Sequence, residues 1–315
     1  DWTWAPRLED FDNDGWIDLH VTNGMVREAN NTDLLADMMR ALSDPQRIGV
    51  IKKAPPLNEA NLAYRNRNGE GFEPVTNEWG LGEVGVSFGS ATADFDGDGD
   101  LDLVYLNYDD GLSVYRNDTQ GRGLQVRLTG TKSNRDAAGA VVRIETGTGI
   151  QARDFTVARG YASGSELVAH FGLGDEATVR RLIVEWPSGA TQEFRDLAAG
   201  HAYRITETPG AKAAEAPPTA PLFRSDGLAF TDESRPAVPD QEQAFLPFRT
   251  DRRGPGIAVA DIDGDGDEDL YGTATTGSPA RLLRRDGATF VEETPRGLAK
   301  GEVEDGPALF LDFDG

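Results

Sequence analysis

The sequence predicts an all-β protein in which partial β-propeller blades flank a β-sandwich-like domain, with one short helix inserted among the blades. Three observations predict this fold class. An aspartate-rich loop recurs between short apolar runs, a hairpin pattern recurs at a fixed distance from it, and residues 123–208 interrupt both with runs that alternate apolar and polar side chains. A recurring unit is typical of repeat architectures, and alternation is typical of half-buried strands.

The aspartate-rich loop has nine residues and occurs three times in full. Its copies begin at Asp10, Asp94 and Asp261, and a fourth copy begins at Asp312. Each complete copy has carboxylates at positions 1, 3, 5 and 9 and a glycine at position 6. Apolar runs such as 258–260 flank the loops, so each loop is expected to join two strands of a hairpin.

The second recurring pattern is a hairpin with an Asn-Gly or Asp-Gly turn. Residues 64–72 resemble residues 283–290, and residues 223–230 form a third version. The third and fourth aspartate loops begin 51 residues apart, a length that suits four short antiparallel strands, or one propeller blade. The first and second loops begin 84 residues apart, which leaves about 33 inserted residues.

The insertion predicts a helix near residues 31–45 that ends at Pro45. Its apolar stripe comprises Leu34, Leu35, Met38, Met39 and Leu42. We interpret this helix as a surface element that caps a blade, and the alternative is a functional lid. The predicted domains are blades at 1–120, the sandwich at 121–208, an Ala/Pro-rich linker at 209–220 and further blades at 221–315.

The carboxylate spacing indicates a divalent cation site in each loop. Alternate side chains of a tight loop point inward together, and Ca²⁺ takes six to eight oxygen ligands in a flexible shell. Two like charges ~4 Å apart cost about 1 kcal/mol in water and about 4 kcal/mol at an intermediate dielectric, so the loop is expected to open without a cation. The predicted side-chain ligands are Asp10, Asp12, Asp14, Asp18, Asp94, Asp96, Asp98, Asp102, Asp261, Asp263, Asp265, Asp269, Asp312 and Asp314.

The remaining loop positions carry their own expectations. Position 7 is expected to offer a backbone carbonyl, and the residues there are Trp16, Asp100 and Asp267. Position 4 is expected to face outward, and the residues there are Asn13, Gly97 and Gly264. Position 2 is expected in the core, and the residues there are Phe11, Phe95, Ile262 and Phe313.

Three other interpretations of the loops fit less well. Acidic turns without a metal would leave the like charges uncompensated, and Mg²⁺ seldom uses an all-protein site. An EF-hand requires a bidentate Glu at position 12, where this chain has Val21, Tyr105 and Gly272. A calcium-bound β-hairpin therefore fits best.

The composition restricts the possible partners. Lys and Arg number 31 against 54 Asp and Glu, a net charge of −23, so nucleic acids and anionic membranes are poor partners. Cysteine is absent, which excludes disulfides and thiolate metal sites, and no apolar run is long enough for a membrane span. Because the chain has no initiator Met and stops within a loop copy, we expect it to be part of a longer protein whose targeting signal lies elsewhere.

The loops and their flanks resemble the FG-GAP or VCBS-type repeats of integrin-like propellers, over residues 1–120 and 221–315. Residues 123–208 resemble an ASPIC/UnbV domain of the cartilage acidic protein family. The segments that carry this second resemblance are 133–140, 170–174 and 186–189. The resemblance implies calcium-binding loops and an exported or surface protein without established enzymatic activity. Since few blades are visible, we expect the end of one propeller, the ASPIC/UnbV domain and the start of another.

Signals for catalysis are sparse. The chain has three histidines, and Ser163 and Ser165 near His170 lack the Gly-x-Ser-x-Gly motif of a nucleophile elbow. The polar turn at 133–136 is either a binding turn or a structural one. We therefore expect a scaffold that binds calcium and a protein or glycan ligand outside the cell or in the periplasm. The alternative is an enzyme that acts on glycans or in secondary metabolism, and a cleft joining His170 to 134–136 would favour it.

Overall fold

The computed structural model describes residues 2–28, 32–41, 43–108, 111–208, 219–221, 231–232, 257–265, 268–273, 280–286 and 289–293. Several predicted features lie outside this part of the chain. They are Leu42, the linker residues 209–218, the hairpin 223–230, Asp267, Asp312, Phe313 and Asp314.

The described residues between 3 and 116 form nine strands and two helices. They are β1 (Thr3–Glu9), β2 (Asp18–Asn23), α1 (Thr32–Arg40), α2 (Asp44–Lys52), β3 (Glu59–Ala60), β4 (Leu62–Asn66), β5 (Phe72–Pro74), β6 (Val84–Gly85), β7 (Ser87–Ala93), β8 (Asp102–Asn107) and β9 (Leu112–Arg116).

The strands of residues 122–206 are β10 (Arg122–Thr129), β11 (Val141–Glu145), β12 (Ile150–Asp154), β13 (Val168–Gly174), β14 (Thr178–Glu185), β15 (Thr191–Ala198) and β16 (His201–Thr206). The described strands that follow are β17 (Thr219–Pro221), β18 (Thr231–Asp232), β19 (Ile257–Ala260), β20 (Asp269–Gly272), β21 (Arg281–Asp286) and β22 (Thr289–Glu292).

Three four-stranded antiparallel sheets have the arrangement of propeller blades. Their strand orders are β1-β2-β4-β5 for blade 1, β7-β8-β9-β18 for blade 2 and β19-β20-β21-β22 for blade 3. In each blade an aspartate loop joins the first strand to the second. The predicted fold class is therefore confirmed: the described chain is mostly β, and three of its four-stranded sheets have the arrangement of blades.

Equivalent residues pack equivalent blades together. Phe11 at position 2 of the first loop is buried against Leu103 and Tyr105 of blade 2. Phe95 at the same position of the second loop is buried in the cluster that contains Leu270 of blade 3. The first strands β1, β7 and β19 are neighbours across the stack. The expected core role of position 2 holds for these two residues, whereas Ile262 in blade 3 is 44% exposed.

The sandwich domain is inserted within blade 2. The chain leaves this blade after β9, forms β10 to β16, and returns as β18, in which Thr231 pairs with Arg116 of β9. Since blade 3 also packs on blade 2, the three described blades form one stack. The expectation that the later blades begin a second propeller is therefore wrong.

Two sheets of four strands form the sandwich, with orders β13-β10-β16-β17 and β12-β11-β14-β15. Alternation along β10 sends Leu124, Val126 and Leu128 into a continuous apolar core between the sheets. Phe171 of β13 joins the same core. The strand β17 extends the first sheet by pairing with β16, so residues 219 and 220 of the predicted linker belong to a strand.

The insertion in blade 1 contains two helices where the sequence predicts one. Pro45 does not end the first helix but lies in the first turn of α2. The backbone N–H groups of a first turn have no acceptor within the helix, so proline, which lacks this N–H, costs no hydrogen bond there. No residue of α1 is buried, and Met39 is 87% exposed. Among the described residues, neither helix has the length and apolar character needed to cross a membrane.

Candidate metal centre

Each aspartate loop brings three carboxylates together. In the first two loops these belong to positions 1, 3 and 9, and in the third to positions 1, 3 and 5, with ligand oxygens within 4.8 Å of one another. The triads are Asp10, Asp12 and Asp18; Asp94, Asp96 and Asp102; and Asp261, Asp263 and Asp265. The carboxylates at position 5 of the first two loops, Asp14 and Asp98, and Asp269 of the third lie outside these triads.

Position 9 ties its loop to the third strand of the blade. In blade 2, Asp102 Oδ2 accepts a hydrogen bond from the Phe95 amide, and Oδ1 accepts one from the Asn117 amide at 2.7 Å. Equivalent pairs of amides bind Asp18 in blade 1 and Asp269 in blade 3. Position 9 therefore has a structural role in all three blades, which sequence spacing alone did not reveal.

Position 1 organises the turn itself. Asp94 Oδ1 accepts from the Asp98 amide at 3.2 Å, and Oδ2 accepts from the Gly99 amide at 2.9 Å. Gly99, at position 6, has a φ of 100°, a conformation that a residue with a side chain rarely adopts. The predicted requirement for glycine at this position thus follows from the backbone.

Position 5 of the second loop carries an oxygen without a donor. Asp98 Oδ1 accepts from the Asp100 amide at 2.9 Å, whereas Oδ2 is buried and accepts no hydrogen bond from any described residue. Burial, together with the charges of Asp96 and Asp94, raises the pKa of Asp98 to about 7. A buried acceptor among like charges is the arrangement that a bound cation would satisfy.

Burial raises the pKa of the other inner carboxylates too. It brings the pKa of Asp18 to about 7 and holds the pKa values of Asp10 and Asp102 well above the usual range. Neighbouring loop carboxylates act in the same direction on each of these groups. Without a cation, burial and mutual repulsion therefore disfavour the ionised form of these carboxylates, and a bound cation would favour it.

An arginine on the third strand pairs with position 3 of each loop. Arg65 Nε lies 2.9 Å from Asp12 Oδ2, and Arg284 Nη1 lies 3.1 Å from Asp263 Oδ2. In blade 2 the corresponding distance, from Arg116 Nε to Asp96 Oδ2, is 3.8 Å. Each arginine offsets one charge of a loop that has at least four carboxylates, so a deficit of positive charge remains.

This arginine was missed at the sequence level, although a signal exists. Tyr64-Arg65-Asn66 recurs as Tyr115-Arg116-Asn117 and, more loosely, as Leu283-Arg284-Arg285. The third residue of each triplet supplies the amide that binds position 9.

The expectation for position 4 is wrong in the first loop. Asn13 is buried with a φ of 57°, and its Nδ2 donates to Asp100 Oδ1 of the second loop at 2.7 Å. The prediction failed because it treated each loop alone, whereas the first two loops contact each other. Gly264 in the third loop is exposed, as predicted. The carbonyl ligands from Trp16 and Asp100 stay predictions.

Comparisons with known proteins agree with this architecture. The family described as "ASPIC and UnbV" matches residues 130–212, and the family described as "FG-GAP-like repeat" matches residues 54–105. The chain carries both of these domains. We therefore call the sandwich of residues 122–208 the ASPIC/UnbV domain.

The chain is distantly homologous to cartilage acidic protein 1. It is 30% identical to the Homo sapiens protein over 205 residues, which cover 63% of this chain and 27% of that protein. Against the Xenopus tropicalis protein it is 36% identical over 141 residues, covering 41% of this chain and 21% of that protein. The matched region thus spans about a quarter of these relatives, which carry the same name.

His170 of the ASPIC/UnbV domain lies at the interface with the blades. Its Nε2 contacts Glu166, and burial lowers its pKa to about 4. Ser165 Oγ accepts from Arg7 Nη1 at 3.0 Å and from the Thr92 amide at 3.1 Å. Both side chains line a polar cavity of about 20 Å³, room for about one water molecule, and residues 134–136 do not reach it.

The polar turn of the ASPIC/UnbV domain has a structural role. The Asn134 side chain both donates to and accepts from the backbone of Ala138. Glu207 Oε2 accepts from the amides of residues 131, 132 and 133 at 2.7 to 2.9 Å. Of the two interpretations left open for this turn, its own contacts favour the structural one.

Proposed function

We propose that this chain is a calcium-binding repeat protein in which one ion in each aspartate loop holds the first three strands of a blade together. The observation that carries the proposal is Asp98 Oδ2, a buried acceptor that receives no hydrogen bond from the described part of the chain and lies in a loop of like charges. The three carboxylate triads support the same site in each blade. Asp10, Asp12, Asp14 and Asp18, with their equivalents, would hold the ion.

The donor set favours calcium over other metals. All side-chain donors are carboxylate oxygens, and the chain has no cysteine. Six to eight flexible oxygen ligands suit Ca²⁺, whereas Mg²⁺ prefers to keep several waters. An affinity on the order of 10⁻⁴ to 10⁻³ M, typical of extracellular calcium modules, would suffice outside the cell. The location that we propose is accordingly extracellular, at the cell surface or periplasmic.

The test is thermal unfolding in calcium and in chelator, with Asp98→Asn as the variant. Because calcium binds the folded state, the wild type is expected to unfold at a higher temperature in calcium than in chelator. At a calcium concentration of 100 times Kd, one bound ion adds about 2.7 kcal/mol to the free energy of unfolding. Asp98→Asn should reduce this gain, and the exposed Asp175→Asn serves as the matched control. An unfolding midpoint that is the same in calcium and in chelator would contradict the proposal.

We further propose that the protein is a scaffold for a protein or glycan ligand and not an enzyme. The contacts of His170 and Ser165 support this proposal. His170 contacts Glu166, Ser165 accepts hydrogen bonds from Arg7 and Thr92, and in the described structure no hydrogen bond joins the histidine to the serine as a base and nucleophile would require. The net charge of −23 disfavours polyanionic ligands. Binding to a glycan array in calcium but not in chelator would support the scaffold, whereas glycoside turnover abolished by His170→Ala would support the enzyme.

A further inference from the structure

The ASPIC/UnbV domain rests on the aspartate loops through one face of its first sheet. Alternation places Gly123, Gln125 and Arg127 of β10 on the face opposite the sandwich core, and the register pairs Gln125 with His170 and Gly123 with Gly172 of β13. This face, defined by those five residues, is called the docking face below. It contacts a loop residue from each of the three blades.

The first loop meets the docking face at Gly172. The Gly172 amide donates to Asp10 Oδ2 at 3.1 Å, and the Gly174 amide donates to the Asn13 carbonyl at 2.7 Å. A Cβ built on Gly172 would overlap the Asp10 carboxylate and lie 2.5 Å from the Asn13 backbone. Only glycine permits the strand to approach the loop this closely, and this is why residue 172 must be a glycine.

The second loop meets the docking face at Gln125. Gln125 Nε2 donates to Asp94 Oδ2, the oxygen that also accepts from the Gly99 amide. The Asp94 amide in turn donates to Glu166 Oε1 of the ASPIC/UnbV domain at 3.1 Å. In both loops, therefore, the domain donates directly to the carboxylate at position 1.

Blade 3 meets the docking face at Arg127. Arg127 Nη2 pairs with Glu268, which occupies position 8 of the third loop and is buried. The same nitrogen lies 3.9 Å from Glu166 Oε2. The arginine thus joins the domain to the third loop.

Residues 156–166 of the domain, here called the inner segment, contact the first strand of each of the three blades. Buried Arg7 of β1 donates to Ser165 Oγ and, at 3.1 Å, to the Arg159 carbonyl. Ser165 Oγ accepts from the Thr92 amide of β7. The Gly164 amide donates to the Ile257 carbonyl of β19 at 3.0 Å.

We propose that docking of the ASPIC/UnbV domain and calcium binding by the first two loops stabilise each other, so that calcium holds the inner segment against the first strands. The proposal rests on the calcium function proposed above. Gln125 and the Gly172 amide fix the orientation of Asp94 and Asp10, the carboxylates at position 1 of the two proposed ion sites. By reciprocity, an ion that orients the same carboxylates favours docking by the same factor.

The experiment uses the whole chain and calcium alone as the probe. Isothermal titration is expected to show that Gln125→Leu weakens calcium binding about 10- to 100-fold, as removal of a group that orients a metal ligand typically does. Gln192→Leu is the matched control, because Gln192 is buried in the ASPIC/UnbV domain and its side chain bonds there to the backbone of residues 206 and 208. Gly172→Ala should resemble Gln125→Leu.

Hydrogen exchange of the wild type supplies a second measurement that needs no variant. Chelator is expected to speed exchange of the Gly164 amide while leaving the Val184 amide, in the sandwich, unchanged. The proposal is overturned if calcium binds yet Gln125→Leu matches Gln192→Leu and Gly164 exchange ignores chelator. If the wild type binds no calcium at all, the proposed function fails as well, and the two failures are thereby distinguished.

Discussion

Glu207, just after β16, organises a whole turn of the ASPIC/UnbV domain through one side chain. Burial opposes its charge, but the amides of residues 131–133 and the Ser188 hydroxyl outweigh burial and lower the pKa of Glu207 to about 2. Three successive amides that converge on one carboxylate form a small anion-binding concavity filled by the chain's own side chain.

Glu207→Gln is expected to destabilise the chain by about 1.5 to 3 kcal/mol, the usual contribution of hydrogen bonds to a charged group. Since the pKa of Glu207 is lower in the folded state, its contribution is present above the unfolded pKa of about 4.5 and is lost as pH falls toward 2. Urea unfolding at pH 7 and pH 3 measures both effects. Glu185→Gln, at an exposed pair with Arg143, is the control, and an equal loss in the two variants would refute the assignment.

The aspartate loop is the element that the sequence predicted best. Spacing alone indicated the hairpin, the glycine and the convergence of carboxylates, because these depend only on local backbone geometry. It did not indicate that Asn13 bonds to Asp100, because that contact depends on how two blades pack. The second helix was missed for a similar reason: Pro45 is compatible with either end of a helix, and the surrounding chain decides which end it occupies.

Within the loop, position 9 and position 5 are expected to respond differently to substitution. Asp102→Asn places an amide group against the Phe95 or Asn117 N–H, so it should lower the unfolding temperature in chelator as well as in calcium. Asp98→Asn should affect mainly the calcium-dependent gain. Differential scanning calorimetry of both variants in both buffers tests the distinction, and identical profiles would show that it is wrong.

On the scale of the whole molecule, an ion pair at a buried interface links two domains. Arg127→Met would leave the buried side chains of Glu166 and Glu268 without the arginine that they share, a loss of about 3 kcal/mol or more if the domains stay docked. We expect undocking to relieve this cost, so that the sandwich and the blades unfold in separate steps. Arg143→Met, which breaks an exposed pair, should leave the unfolding profile unchanged, and a single transition in both variants would contradict the expectation.

The pairing of Thr231 with Arg116 has a consequence for how the protein is made. A ribosome releases the first three strands of blade 2 well before the fourth, and the ASPIC/UnbV residues emerge in between. Until residue 231 appears, β9 exposes an unpaired edge, which is a hazard for association between nascent chains. After that point, β18 can pair with β9 only when the inserted domain is compact enough to bring them together, so variants that slow its folding should aggregate during synthesis even when the finished protein is stable.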